Sequence, residues 1–340
     1  MKIATVFFCL LILISSVNAA AAVNFTPAPP VPILIVRESM PPEPSVFDVY
    51  TVEDLKAVDY QPSNIVSIEL MNDIEITDEF WKPIGSFSKP FTGEFNGNNH
   101  TITFTKDTEF IPAVGSENTG CGLFGYVYDG QIRDLNIILQ GNLTSRENNT
   151  GALVGIINLN YSSVLLSSSA PSATIINCNV FGNEYSISGE NNVGGLVGNI
   201  VRGSIVNSSS DCSVTAENNA GGLVGFTSHG VILNSSASSS VISKEYAGAL
   251  IGYISNETTI SNSSADGAVK PKGAFGNFIG GWAEDYKPTV LNCFYQETEV
   301  DLEPVPVGND EKATKTAMAA IMSVVLLAIV IVIIYSKKRN

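Results

Sequence analysis

Apolar residues and glycines recur along the chain in a fixed order that is most regular in its second half. Asn191–Gly198 reads Asn-Asn-Val-Gly-Gly-Leu-Val-Gly, and Asn218–Gly225 reads Asn-Asn-Ala-Gly-Gly-Leu-Val-Gly. The copies end on glycines with successive spacings of 30, 43, 27, 27 and 28 residues, namely Gly125, Gly155, Gly198, Gly225, Gly252 and Gly280. A period of this length is typical of a stacked-repeat protein.

Each period divides into short segments of β character separated by residues that favour corners. From Gly194 to Gly221 the predicted strands are 195–200, 204–209 and 212–216. The predicted corners are Arg202-Gly203, Ser210-Asp211 and Asn218-Asn219. Three strands and three corners complete one coil, and each strand needs its equivalent in the next coil for hydrogen bonding. The sequence therefore predicts an all-β fold, a three-sided parallel β-helix, right-handed as parallel crossovers favour.

Asparagine recurs at one corner of the predicted coil. We expect these amides to bond to each other from coil to coil, although a ligand-binding role is the alternative. The aligned residues are Asn136, Asn177, Asn207, Asn234, Asn262 and Asn292. The longest interval, 43 residues, predicts an insertion at Leu159–Ser172 that bulges from one face.

The stretch before the repeats predicts an arm and then a helix. Residues 20–48 are rich in proline, which favours an extended arm. Thr51 can cap a helix that carries Glu53 and Asp54 in its first turn and runs to about Val58. Such a helix would cover the open end of the stack, where unpaired strand edges invite aggregation. The solenoid itself is predicted over residues 49–297.

Both ends of the chain have patterns that predict export and membrane anchoring. Residues 1–19 combine Lys2 with a short apolar run and small residues ending at Ala19, which indicates a secretory signal peptide. Residues 316–336 include an uncharged run, Ala317–Tyr335, long enough to span a bilayer as a helix. The acidic linker 298–315 precedes it and the basic tail 337–340 follows, which places the tail in the cytoplasm and the solenoid outside the cell.

The charge balance limits the class of partner. The chain has 33 acidic and 18 basic residues and a formal net charge of −15, which argues against nucleic acid. We predict a membrane partner through the single span, and surface glycans or surface proteins as ligands. Exported Asn-x-Ser/Thr sites would be glycosylated where the host has the machinery. The candidates are Asn24, Asn99, Asn142, Asn148, Asn160, Asn207, Asn234, Asn256 and Asn262.

Four cysteines remain after the predicted signal peptide: Cys121, Cys178, Cys212 and Cys293. An even number in an exported protein permits disulfides, and the spacing does not choose among the three pairings. The alternative is that they serve as small apolar residues that point into the stack.

The inventory of catalytic residue types is small. His100 and His229 each lie in a predicted corner, and we interpret them as corner residues. The acidic residues Asp73, Glu75, Asp78 and Glu79 are candidate calcium ligands, with a solvated rim as the alternative interpretation. The sequence contains no phosphate loop, no zinc-type Cys/His spacing and no serine-nucleophile elbow. It therefore predicts no catalytic centre and no cofactor.

The repeat Gly194-Gly195-Leu196-Val197-Gly198 and its copies resemble the GLUG motif of prokaryotic surface proteins, and Trp81–Asn98 looks like the lead-in to such repeats. The resemblance spans about Val49 to Gln296. It implies an adhesin-like stalk or module and is poorly specific for activity. The metalloprotease activity of some relatives is not carried over, because the sequence has no His-Glu-x-x-His. We expect a membrane-anchored, non-enzymatic module that presents the rows Ser208–Ser210, Ser235–Ser240 and Ser261–Ser264. The alternatives are a carbohydrate-active β-helix enzyme and a subunit of a surface lattice.

Overall fold

Parallel strands stacked coil upon coil dominate the computed structural model. It describes residues 45–60, 65–112, 120–158, 174–271, 277–296 and 298–299, which all belong to the compact unit Glu43–Asn340. The predicted signal peptide, most of the proline-rich arm, the insertion, most of the acidic linker, the membrane helix and the basic tail lie outside the described residues.

The chain begins with a strand and a short helix and then enters the coils. The first elements are β1 (Ser45–Val49), α1 (Val52–Ala57) and a 3-10 turn (Val58–Tyr60). Two incomplete coils follow: β2 (Ile65–Leu70), β3 (Ile74–Ile76), β4 (Phe80–Trp81), then β5 (Glu94–Asn96), β6 (Thr101–Phe104), β7 (Thr108–Phe110) and β8 (Phe124–Tyr128).

Four coils with five strands each form the centre of the described chain. Their strands are β9 (Gln131–Arg133), β10 (Asn136–Leu139), β11 (Leu143–Thr144), β12 (Thr150–Gly151), β13 (Val154–Asn158); β14 (Thr174–Ile176), β15 (Asn179–Phe181), β16 (Ser186–Gly189), β17 (Val193–Gly194), β18 (Val197–Ile200); β19 (Gly203–Val206), β20 (Ser209–Ser210), β21 (Ser213–Ala216), β22 (Asn219–Gly221), β23 (Val224–Thr227); β24 (Gly230–Leu233), β25 (Ser236–Ser238), β26 (Val241–Ser243), β27 (Tyr246–Gly248) and β28 (Ile251–Ile254).

The last coils are again shorter. They comprise β29 (Thr259–Ser261), β30 (Ser264–Asp266), β31 (Val269–Pro271), β32 (Ile279–Trp282), β33 (Thr289–Leu291), β34 (Phe294–Tyr295) and β35 (Thr298–Glu299). Pairing is parallel between all described strands except β34 and β35, which are antiparallel.

Equivalent strands of successive coils form five sheets. Sheet 1 is β1-β2-β5-β9-β14-β19-β24-β29-β33, and sheet 2 is β3-β6-β10-β15-β20-β25-β30-β34-β35. Sheet 3 is β4-β7-β11-β16-β21-β26-β31, sheet 4 is β12-β17-β22-β27, and sheet 5 is β8-β13-β18-β23-β28-β32. This order is that of a β-helix, in which each sheet runs along the stack; sheet 4 is limited to the four central coils.

The strand register aligns apolar side chains into inward columns. In sheet 1 the column is Ile68, Phe95, Ile132, Ile175, Ile205, Ile232 and Ile260, and each is at most 4% exposed. A one-residue slip between coils would turn such a column out to solvent, so burial fixes the register. The largest buried side chains lie toward the N-terminal coils: Trp81, Phe95, Phe104, Phe110 and Phe124.

The N-terminal helix forms where the sequence predicts it. The Thr51 side chain accepts a hydrogen bond from the Asp54 amide, and the Asp54 carboxylate accepts one from the Thr51 amide, which is a complete capping box. Leu55 is fully buried, and the helix contacts β1 and β3, the outermost strand of sheet 2. Strand β1 begins inside the predicted arm, and it is part of the stack because it pairs with β2.

The coil has more strands than the three predicted. The predicted strand 204–209 is divided between β19 and β20, which belong to two sheets, because Asn207 lies between them with a φ of 53°. A left-handed residue cannot continue a strand, so the chain turns there. The predicted corner at Asn218-Asn219 is also part of a sheet, because Asn219 pairs with Tyr246.

Candidate functional site

The corner asparagines form the ladder predicted from the sequence, with one member misassigned. The Asn177 Nδ2 donates to Asp134 Oδ1 at 2.7 Å, and both residues have left-handed φ angles. Asn136 instead lies in β10 of sheet 2, where it pairs with Asn179. The prediction for Asn136 is therefore wrong, because the buried columns align Asp134 with Asn177.

The remaining members continue the ladder toward the C-terminal coils. Asn234 Nδ2 donates to Asn207 Oδ1, and Asn292 Nδ2 donates to Asn262 Oδ1, each at 3.2 Å. All four residues have φ angles near 50°. The amides thus bond to one another at an exposed corner, which is the structural role that the sequence suggested.

A buried ladder lies beside this corner. The residue that follows each asparagine points inward. Where it is serine, its hydroxyl accepts a hydrogen bond from the main-chain amide of the equivalent residue in the preceding coil. These bonds join Cys178 N to Ser208 Oγ, Ser208 N to Ser235 Oγ and Ser235 N to Ser263 Oγ, at 3.1–3.2 Å. Since sequence reasoning placed these serines in exposed rows, this role was missed. The signal was available, because the residue after each corner asparagine is always Ser or Cys.

A second amide ladder runs along sheet 4. Asn192 Nδ2 donates to Asn149 Oδ1 at 2.8 Å, and Asn219 Nδ2 donates to Asn192 Oδ1 at 2.7 Å. Asn191 bonds in the same way to Asn148 in the coil before and to Asn218 in the coil after. These paired amides explain why the repeat begins with two asparagines.

The candidate glycosylation sites differ in what their amides do. Asn142 Nδ2 donates to Asp107 Oδ1 at 3.1 Å, while its Oδ1 accepts hydrogen bonds from the Ser186 amide and hydroxyl at 3.0 Å. Asn99, Asn234 and Asn262 are exposed, Asn148, Asn207 and Asn256 are half-buried, and Asn24 and Asn160 lie outside the described residues. The carbonyl and amide of Asn142 both hold neighbouring coils together.

The candidate calcium ligands are held by separate partners. Asp73 accepts a hydrogen bond from the Thr101 amide at 2.9 Å and lies 3.1 Å from His100 Nδ1, and these contacts lower the pKa of Asp73. Glu75 points to solvent from β3. Among the described residues, no group of three His, Cys, Asp or Glu side chains could hold a metal ion.

The other two carboxylates of that stretch form surface ion pairs. Asp78 lies 3.1 Å from Lys56, and Glu79 lies 3.6 Å from Lys106. Lys82, the one basic residue close in sequence, pairs instead with Asp59 at 2.7 Å. The four acidic residues therefore form a solvated rim at the N-terminal coils.

The histidines and cysteines also have structural positions. His229 has a φ of 56° at a corner, and burial, with the nearby Arg202, lowers its pKa. The four cysteines that the structure describes are free and buried, and burial raises the pKa of Cys178 to about 12. Such a thiol is inert as a nucleophile. The interpretation of the cysteines as small apolar residues that point into the stack is therefore correct.

The outer face of sheet 2 carries a row of serines. Ser209, Ser236 and Ser264 follow one another in register and are succeeded by Phe294. Only some of the serines in the predicted rows therefore face solvent. The buried ones are Ser208, Ser210, Ser235, Ser239 and Ser263. Alternation along each strand decides which serines face solvent.

A groove lies at the C-terminal end of this face. It has a volume of about 600 Å3 and is lined by Ser236, Ser238, Ser264, Asp266, Phe294 and Gln296, with Ala237 and Ala265 at its base. Asp266 Oδ1 accepts a hydrogen bond from the Gly267 amide at 2.7 Å. The groove therefore brings hydroxyl, carboxylate and amide groups together beside one aromatic ring.

No family model matches this chain, and no curated protein matches it significantly. It is similar to the crystal structure of a candidate immunoglobulin A1 protease from Bacteroides ovatus, at 18% identity and a TM-score of 0.55, over 77% of this chain and 80% of that chain. L. reuteri 53608 SRRP aligns at 12% identity over 74% of this chain and 100% of that one, but the TM-score is 0.24. The first likeness shows the fold alone.

Proposed function

We propose that the protein is a membrane-anchored cell-surface module of GLUG-like repeats, a right-handed, three-sided β-helix that binds or presents ligands and has no enzymatic activity. The observation that carries this proposal is the groove on sheet 2, a polar site on a rigid stack. In the described residues no helix is long and apolar enough to cross a membrane. Ala317–Tyr335, on which the anchor rests, lies outside them.

The groove favours a neutral polar ligand such as a glycan. Its one carboxylate, Asp266, and a chain with a net charge of −15 repel anionic ligands. Ser236, Ser264 and Gln296 offer hydroxyl and amide groups that can bond to sugar hydroxyls. A glycosidase needs two carboxylates about 5–10 Å apart, and the described residues that line the groove include one, Asp266, so we propose binding without hydrolysis.

A binding array tests this function. The full-length protein in detergent is applied to arrays of neutral and acidic glycans and to cells, and released sugar is measured in parallel. We expect binding without turnover, and binding about tenfold weaker for Ser264→Trp, which fills the groove. Thr215→Trp, at an exposed strand position on sheet 3, is the matched control. Glycan turnover, or no binding to any glycan or cell, contradicts the proposal.

A further inference from the structure

Three aromatic side chains lie together on the outer surface of sheets 4 and 5, away from the groove. Phe226 and Tyr253 occupy the same outward position in consecutive coils, with ring centroids 6.0 Å apart and planes within 20°. Tyr246, at the start of β27, has its ring centroid 4.6 Å from that of Tyr253. All three residues are partly buried, so the cluster presents only part of its ring surface to solvent.

In the described part of the next coil, a glycine follows Tyr253 in register. This residue, Gly281, has no side chain to place over the rings. A Cβ there would lie 2.5 Å from Tyr246 Cδ1 and 3.3 Å from Tyr253 Cδ2. The absence of a side chain at Gly281 therefore leaves room for the Tyr246 ring.

An earlier ring in the same column shows the contrasting, purely structural arrangement. Tyr126 is 4% exposed, is covered edge-on by Phe87 at 5.6 Å, and its hydroxyl accepts a hydrogen bond from Asn158 Nδ2 at 2.7 Å. A ring at this position can therefore be covered without disrupting the stack. Stability of the stack alone does not explain why Phe226, Tyr246 and Tyr253 are less covered than Tyr126.

Polar groups border the cluster. Asn219, the last member of the amide ladder on sheet 4, is directly opposite Tyr246 in register. Burial, together with the neighbouring Tyr246 and Glu284, raises the pKa of Tyr253, so its hydroxyl keeps its proton and can donate a hydrogen bond. The nearby Glu284 makes the surroundings unfavourable for an anion.

We propose that Phe226, Tyr246 and Tyr253 form a stacking platform for neutral pyranose rings of a glycan. The C–H groups on one face of a pyranose carry partial positive charge and pack on the negative face of an aromatic ring. The amide and hydroxyl groups at the border then bond to the sugar hydroxyls. The proposal rests on the proposed function, since it assigns part of that binding to a second face.

The size of the cluster favours a glycan over a protein. A stable protein interface buries about 800 Å2 on each partner, whereas an aromatic side chain buries about 150–250 Å2 when wholly covered. Three partly exposed rings offer much less area than a stable protein interface buries. They match a ligand of two or three sugar rings.

The test uses soluble neutral oligosaccharides of glucose, mannose and galactose with the full-length protein. We expect saturation-transfer NMR to show magnetisation reaching the sugar C–H protons, and Phe226→Ala and Tyr253→Ala each to weaken binding about tenfold. Tyr253→Phe should retain most of the affinity, because the ring face remains. Phe181→Ala removes an exposed ring from sheet 2 and should leave this binding unchanged.

The outcomes separate the two proposals. Undiminished oligosaccharide binding by Phe226→Ala and Tyr253→Ala, with far-UV circular dichroism like that of the natural protein, overturns the platform and leaves the proposed function standing. Binding to cells or acidic glycans with no affinity for any neutral oligosaccharide also overturns the platform alone. The absence of all glycan and cell binding overturns both.

Discussion

Asparagine is the residue that turns the corners of this stack. Asn177, Asn207, Asn234, Asn262 and Asn292 all have left-handed backbone conformations, which side chains other than glycine adopt at a cost. Asparagine reduces that cost through local hydrogen bonds, and here its amide also bonds to the next coil. One residue type therefore meets a backbone requirement and a stacking requirement at once.

Replacing Asn207 tests these two contributions. Asn207→Ala should lower the free energy of unfolding by about 1–2 kcal/mol, because alanine is strained at a φ of 53° and the bond from Asn234 is lost. Asn207→Gly is the control, since it loses the same bond but tolerates the backbone angle. Both are measured by urea unfolding of protein from a host without glycosylation. Equal losses would show that backbone strain plays no part.

Among the elements, α1 depends most on local sequence. Thr51 and Asp54 complete the capping box within four residues, so the helix was predictable without tertiary contacts. The strands depend instead on their neighbours in other coils. The two-residue strands β17 and β20 form only because the coils before and after supply their hydrogen bonds.

The capping box gives α1 a pH dependence. Hydrogen bonds from the Thr51 hydroxyl and nearby backbone amides lower the pKa of Asp54 below 3.8, its ordinary value. The stabilisation is therefore complete above that ordinary value and is lost as pH falls through the lowered pKa. Amide exchange at Leu55 should accelerate in that window.

A capping variant provides the control for this prediction. Asp54→Asn should remove the pH dependence at Leu55, because asparagine does not ionise, while the Asn96–Glu69 contact elsewhere in the first coils stays intact. Exchange at Leu55 that keeps the same acid dependence in Asp54→Asn would assign the effect to another group.

The described coils form a one-dimensional stack in which each coil contacts mainly the coils before and after it. The spacing of 27 residues between Gly198 and Gly225 makes these coils interchangeable in register. Stability should then depend on keeping the period rather than on any single coil.

Deletion of one coil tests this view. Removing residues 199–225 joins Gly198 to Phe226 and keeps every later residue in its register, so we expect a folded protein with the same far-UV circular dichroism per residue. Removing one residue fewer, 199–224, inverts the inward and outward faces at the junction and should abolish cooperative unfolding. If both deletion variants fold and unfold cooperatively, the strands of successive coils are not aligned as they are in the five sheets.

The sequence alone determined the period, the parallel stacking, the capped helix and the corner asparagines, because these follow from local hydrogen bonds and from apolar residues that recur at a fixed spacing. Tertiary structure decided which residues stand opposite each other. Asp134, not Asn136, joins the corner ladder because Ile132 and Ile175 must align in the core. The groove and the aromatic cluster likewise combine strands of different coils, whose register is set by packing and not by the identity of the residues that face solvent.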